Sequence, residues 1–246
     1  MAGDVAGTGT DAEKSREDLL EEIAVLTRKI AFLEQKLQLV GSVTRHDVLN
    51  QLTAVVGYNE LLAMMVTDEK LKGFLLKEKT AIDKIRRQFR FARDYQNMGA
   101  EPPRWQNIKN LCTRVSEDFD LKEARILAQT GTASVLADPL LDRVFFHLFE
   151  NALQHGGTTT EIRVTLTMNG NAATLVVADN GAGIPMEEKE KIFERGYGKG
   201  IGWGLFLSRE ILAITGMTLF ETGQPGTGAR FEIALPPGSF RLEGGE

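Results

Sequence analysis

The sequence predicts an α + α/β chain: a coiled coil leading into a helical hairpin, then a two-layer α/β sandwich. Three observations predict it. From Leu19 to Val40 apolar residues recur in alternating steps of four and three, the heptad signature of a coiled-coil seam. The segment from Asn97 to Pro103 carries Gly99, Pro102 and Pro103, and proline excludes helix while glycine frees the backbone. Beyond it, strand-like alternation is interleaved with helical stretches, a pattern that packs helices against a sheet.

Residues 1–10 are rich in Gly, Ala and Thr and lack the basic-then-apolar layout of a signal peptide; they read as a disordered tail. Residues 11–42 form the coiled coil, with Leu19, Ile23, Leu26, Ile30, Leu33, Leu37 and Val40 in the seam. Glu21, Glu22, Arg28, Lys29, Glu34 and Lys36 between them suit exposed flanks. One amphipathic helix packed on its own globule would show the same spacing, but sustained heptads free of Gly and Pro favour a parallel dimer. Gly41 interrupts the run without any proline, so the helix is expected to continue through Ser42 and His46.

Residues 43–96 read as a helical hairpin. Leu49, Leu52, Val56, Leu62 and Met65 mark one apolar face, and Leu71, Leu75, Ile82, Ile85, Phe89 and Ala92 mark another. Thr67-Asp68-Glu69 between them supplies a polar stop or cap. Such a hairpin cannot bury both faces alone, whereas two copies complete a four-helix bundle. A homodimer is therefore expected from packing as well as from the heptads. Residues 97–104 form the linker and the expected domain boundary.

Residues 105–238 form the sandwich. Asp138-Pro139 is expected to open a helix reaching about Gln154, with Asp as N-cap and Pro at the first helical position. Ile162, Val164 and Leu166 alternate with polar residues, as in part does the run from Ala173 to Ala178. Met168-Asn169-Gly170-Asn171 between them has hairpin-turn chemistry. A last pair of strands is expected over Met217 to Glu221 and Ala229 to Leu235, and residues 239–246 read as a second disordered tail.

Composition narrows the function classes. Of 246 residues, 42% are hydrophobic and 26% charged, enough for a true core. A net charge of −5 leaves no basic excess to neutralise a phosphate backbone, which argues against nucleic acid as partner. Cys112 is the only cysteine, so neither an intrachain disulfide nor a cysteine metal cage can form. A lone thiol fits a reducing cytoplasm. No apolar run approaches the roughly 20 residues that span a bilayer, so the expectation is a cytoplasmic protein without a membrane segment.

Three pieces of the sandwich look chemical. In Glu150-Asn151-Ala152-Leu153-Gln154-His155, Asn151 and His155 are four apart and share a helix face. An amide oxygen there suits a hard cation such as Mg2+, although a plain polar helix end ahead of Gly156-Gly157 is equally natural. Asp179-Asn180-Gly181-Ala182-Gly183 follows a strand; a carboxylate at a strand end can accept from an adenine amino group, and glycines let backbone approach the ring. An ordinary Asn-Gly turn reads the same way. Gly200-Ile201-Gly202-Trp203-Gly204-Leu205 opens a helix, where exposed amides and the helix dipole favour a phosphate. No Gly-Lys-Ser or Gly-Lys-Thr follows, so this is no P-loop, and no βαβ pattern makes it a Rossmann site. Far upstream, His46 lies beside Asp47 within a helical stretch, by itself an unremarkable surface histidine.

The order of these pieces resembles the ATP-binding domain of histidine kinases, the Bergerat fold shared with gyrase, Hsp90 and MutL. Asn151-Ala152-x-x-His155 is similar to the family's asparagine box and Asp179-x-Gly181-x-Gly183 to its first glycine box. Ile192 to Tyr197 resembles the phenylalanine box, Gly200 to Leu205 the second glycine box, and Gly226 to Phe231 the last. The resemblance covers roughly Trp105 to Pro237. It implies Mg2+ at Asn151, adenine recognition at Asp179, and passage of the ATP triphosphate by Gly202 and Gly204. It also implies a lid over Glu194 to Gly200, from which Lys199 could reach the phosphates, although a solvated lysine is as natural a reading. His155, Gly181, Gly183, Gly200 and Leu205 belong to the same implied nucleotide site.

Thr44 to Leu62 resembles the dimerisation and phosphoacceptor helix of that family, with His46-Asp47 at the acceptor and Asn50 four residues on. The resemblance implies a homodimeric protein-histidine kinase of a two-component system. In it His46 takes the γ-phosphoryl group of ATP and passes it to an aspartate of a response-regulator receiver domain. Asp47 would serve as proton acceptor, and Asn50 would orient a water for dephosphorylation of the partner. Three features depart from the family. His147 stands where a second asparagine is usual, Ala229 stands where a hydroxyl residue often supports the adenine contact, and the lid is short. They leave room for a different class, a catalytically weak dimeric scaffold that binds nucleotide and sequesters a regulator.

Overall fold

The structure is a computed structural model that describes residues 16–198 and 202–242, except for the side chains at 17, 34, 38, 40 and 42–46. The expected tail over residues 1–10 lies outside the described residues. The chain forms two compact units, Met1–Gln51 and Leu52–Glu246.

The first unit holds the start of helix α1, Arg16–Met65, whose 50 residues continue through Gly41 as expected. Without proline nearby, one glycine costs a helix only ~1 kcal/mol, too little to break so long an element. The described seam residues stay largely exposed within one copy, from Leu19 at 46% to Leu37 at 67%.

In the second unit α1 ends at Met65 and α2 spans Glu69–Asn97. Asp68 is the N-cap, its carboxylate accepting from the amides of Lys70 and Leu71 at 2.9 and 3.0 Å. That satisfies two of the donors every helix start leaves unpaired. Leu52 and Ile82 are buried, and the buried Asn59 donates to the Leu75 carbonyl and to Glu78 Oε2. Leu61, Leu62, Met64, Met65, Leu71 and Phe74 remain exposed.

The sandwich comprises β1 (Arg104–Asn107), α3 (Ile108–Ser116), β2 (Arg125–Gln129), β3 (Ala133–Ala137), α4 (Leu141–His155), β4 (Glu161–Asn169) and β5 (Ala172–Asp179). After two 3-10 turns follow α5 (Gly204–Ala213), β6 (Thr218–Glu221), β7 (Arg230–Leu235) and β8 (Phe240–Leu242). A five-stranded sheet has the order β2-β4-β5-β7-β6, antiparallel except for the parallel β2–β4 pair. Its core face presents Ile162 and Val164 of β4, Leu175 and Val177 of β5, and Phe231 and Ile233 of β7, all buried. The alternation follows the two-residue period of a strand. Against them lie Phe145 and Phe149 of α4, whose rings meet edge to face at 5.9 Å, and Leu207 and Ile211 of α5. The predicted β4–β5 turn is present, with Gly170 at φ +63°.

Three details depart from the sequence reading. Asp138 does not cap α4: its carboxylate accepts from Leu140 at 2.8 Å and from Gly99 at 2.9 Å, and the helix starts at Leu141 with no side-chain cap. The aspartate is used in a turn that also ties down the segment after α2. Residues 239–246 are not wholly a tail, because Phe240–Leu242 pairs with β3. With β1 it makes a separate three-stranded sheet, β1-β3-β8. Finally, the Gly/Pro segment separates helix from sheet without separating compact units. Phe91 of α2 and its C-cap residue Met98 pack against the sandwich core, and the division falls at residue 51.

Candidate nucleotide-binding site

The carboxyl end of β5 carries Asp179 into a cavity of about 400 Å3. Its Oδ1 accepts from the amides of Gly181 at 2.8 Å and Ala229 at 3.2 Å, so the carboxylate is oriented before any ligand arrives. Burial, with the charge of Glu221 adding to it, raises its pKa above that of an ordinary aspartate despite those two hydrogen bonds. Oδ2 accepts no hydrogen bond among the described residues. Gly228, at φ +109°, shows why the last glycine segment must be glycine. A Cβ there would collide with the Asp179 carbonyl, and L side chains resist that φ. Gly183 lines the cavity, whereas Gly181 does not and acts through its bond to Asp179.

One wall is the polar face of α4, where His147, Glu150, Asn151 and His155 all line the cavity. These residues recur three and four apart, so one helical face presents them together. Burial works to raise the Glu150 carboxyl, but His147 and Arg87 outweigh it and hold it below the usual range. Their nearest approaches are 3.8 Å to His147 Nδ1 and 3.9 Å to Arg87. The amide oxygen of Asn151 beside the Glu150 carboxylate is a hard oxygen donor set that fits Mg2+.

An adjoining wall is the start of α5. Gly202, at φ +66°, turns the chain where a side chain would strike the Tyr197 carbonyl. α5 begins at Gly204 without a side-chain cap, so amides of its first turn are available to an anion. Gly202, Gly204 and Leu205 line the cavity. A Cβ on Gly204 would lie 2.8 Å from His147 Nδ1, so the glycine makes room for the imidazole. Tyr197 and Gly198 of the short lid segment also line the cavity, while Lys199 and Gly200 lie outside the described residues.

Sequence reasoning missed the contribution of α2. Arg87, Arg90, Phe91 and Asp94 line the same cavity. The Phe91 ring lies 4.4 Å from that of Trp203, and the buried Asp94 meets Arg93 at 3.1 Å and Arg143 at 3.5 Å. The signal was present as a second stripe, Arg87, Phe91, Asp94 and Met98, at helical spacing beside the expected apolar face. His46, Asp47 and Asn50 all lie on α1 in the first unit. Asp47 and Asn50 are exposed, and the side chain of His46 lies outside the description.

Residues 137–239 match the family described as histidine kinase-, DNA gyrase B-, and HSP90-like ATPase. Over 101 residues the chain is 39% identical to the alginate biosynthesis sensor protein KinB of Pseudomonas aeruginosa, covering 39% of this chain and 17% of that protein. Over 215 residues it is 27% identical to the signal transduction histidine-protein kinase AtoS of Escherichia coli, covering 78% of this chain and 33% of that protein. The chain thus spans a third or less of the length of these two curated relatives. The fold resembles that of full-length ShkA in complex with AMPPNP, with a TM-score of 0.58 and 19% identity over 81% of this chain and 46% of that one. The family match covers most of the segment that builds the cavity, and the likeness to AtoS extends beyond it into the helices, so the chain is similar to sensor histidine kinases over both parts.

Proposed function

We propose that the chain is an ATP-dependent protein-histidine kinase that phosphorylates its own His46 and passes the phosphoryl group to an aspartate of a response-regulator receiver domain. The observation that carries this reading is the single cavity lined by Asn151, Asp179, Gly183, Gly202 and Gly204. A carboxylate for the adenine amino group, an amide oxygen for the cation and a helix start for phosphates meet there. Asn151 would hold Mg2+, which when bound neutralises charge on the phosphates.

Phosphoryl transfer asks mainly for positioning and charge stabilisation. In the proposed reaction a neutral His46 imidazole attacks the γ-phosphorus through one ring nitrogen, and ADP leaves. Asp47, the next residue, accepts the proton from the other nitrogen and stabilises the charge that develops on the ring. Asn50 orients the water that removes phosphate from the receiver domain in the reverse sense. The functional form is a homodimer, supported by a coiled-coil seam and a hairpin face that one copy leaves exposed. Among the described residues no helix is long and apolar enough to cross a membrane.

Incubation with γ-labelled ATP and Mg2+ tests the reading. The expected product is labelled protein whose label is lost in acid and kept in base. No label at saturating nucleotide, with nucleotide bound, would sink the kinase and leave the nucleotide-binding scaffold. The Asn50→Ala variant is expected to label normally but to lose dephosphorylation of the partner; equal activity in both steps would remove its assigned role.

A further inference from the structure

A nucleoside triphosphate is strongly anionic, yet the cavity that would take it is lined with more acid than base. Among the described residues the lining carries four carboxylates, Asp94, Glu150, Asp179 and Glu188, against two guanidiniums, Arg87 and Arg90. Both arginines belong to α2, and no Lys or Arg of the described sandwich lines the cavity. Phosphate oxygens in such a setting call for fixed positive charge. Arginine supplies it with a planar fork of N–H donors that matches two phosphate oxygens at once.

The two arginines are not equivalent. Arg87 approaches Glu150 of α4 at 3.9 Å, so part of its charge is already answered. Arg90 lies three residues on, on the same helix face. It is exposed, lines the cavity and makes no hydrogen bond or ion pair among the described residues. Its neighbours locate it along the cavity. Arg87 meets Glu150, the residue before Asn151, and Phe91 meets Trp203, the residue before Gly204. Asn151 is the candidate cation ligand and Gly204 opens the helix start that suits phosphate, so this face of α2 borders the phosphate end of the cavity.

We propose that Arg90 binds the terminal phosphate of the nucleotide, so that α2 completes the site and makes it prefer a triphosphate to a diphosphate. The inference rests on the nucleotide-site reading and sharpens it. With adenine held at Asp179 and the inner phosphates at the start of α5, the terminal phosphate is the one that α2 meets. A diphosphate lacks that group and leaves the Arg90 guanidinium in water. Bound triphosphate thereby ties α2 to the sandwich through one charged contact that bound diphosphate does not make.

Calorimetric titration of the full chain with Mg2+ and either ADP or the triphosphate analogue AMPPNP tests this. The parent is expected to bind AMPPNP more tightly than ADP. Arg90→Ala is expected to lose about 10- to 100-fold in AMPPNP affinity, as loss of a hydrogen bond to a charged group does, and to keep its affinity for ADP. Arg90→Lys, which keeps the charge without the fork, is expected to fall between the two. Unchanged AMPPNP affinity in Arg90→Ala would overturn the proposal while leaving the nucleotide site standing. So would an equal fall for both ligands, the result of a structural role for Arg90 that ignores the terminal phosphate. Failure of the parent to bind either ligand would overturn both readings.

Discussion

Asp179 concentrates the residue-scale argument. Its Oδ1 is held by two backbone amides, and burial beside Glu221 raises its pKa. With Oδ1 held by two amides, a proton would settle on Oδ2 and turn the oxygen left for an adenine amino group from acceptor into donor. Because its pKa is raised, protonation sets in at a higher pH than for an ordinary aspartate, and nucleotide affinity falls as pH drops through that value. Titration of a fluorescent ADP analogue between neutral and mildly acidic pH checks it; Asp179→Asn is expected to weaken binding by about 10- to 100-fold at neutral pH, as loss of a hydrogen bond to a charged group does. Undiminished binding in that variant would remove Asp179 from the site. Lys189 and Glu221 make a different kind of contact, a buried ion pair at 2.7 Å, with Glu221 Oε1 accepting from Gly223 and Arg230. Lys189→Met strands a buried carboxylate and is expected to cost about 3 kcal/mol in urea denaturation. Asp179 was legible because its neighbours form a local motif. The Lys189–Glu221 pair was not, since nothing in either segment names the other.

At the scale of elements, periodicity did most of the work and failed where elements are short. α1 runs through Gly41, and Asp68 caps α2, both as the residue pattern implies. The strands of the small sheet, three to five residues each, are too brief to show alternation, and β8 emerged from a segment read as tail. Asp138-Pro139 carried a correct helix signal two residues early, because a tertiary bond from Gly99 recruited the aspartate into a turn. The most consequential omission was the second face of α2. Phe91 on that face packs against Trp203 with the two rings tilted at 50°, next to the first residue of α5. A double-mutant cycle of Phe91→Ala and Trp203→Ala is expected to give a coupling of about 0.5–1.5 kcal/mol in denaturation experiments. Strict additivity of the two changes would mean that the rings share no energy.

For the whole molecule, the heptads and the ordered glycine segments support one proposed account, in which a dimer would bring acceptor helices together and a sandwich would supply nucleotide. Leu26 and Leu33 stay 51% and 53% exposed in one copy, part of a row of apolar side chains that folded monomers rarely leave uncovered. Replacing both with Asp is expected to turn a dimer into a monomer in sedimentation velocity; an unchanged dimer would shift the interface entirely to the hairpin. Cys112, by contrast, is inert in the folded chain, since burial pushes its thiol up to about 12. The central claim is that the nucleotide cavity and the helix histidine serve one reaction. Parallel measurement of nucleotide binding and γ-phosphoryl labelling in His46→Gln tests it most directly. The account predicts nucleotide affinity equal to that of the parent with no acid-labile label; label that persists on the variant would contradict it.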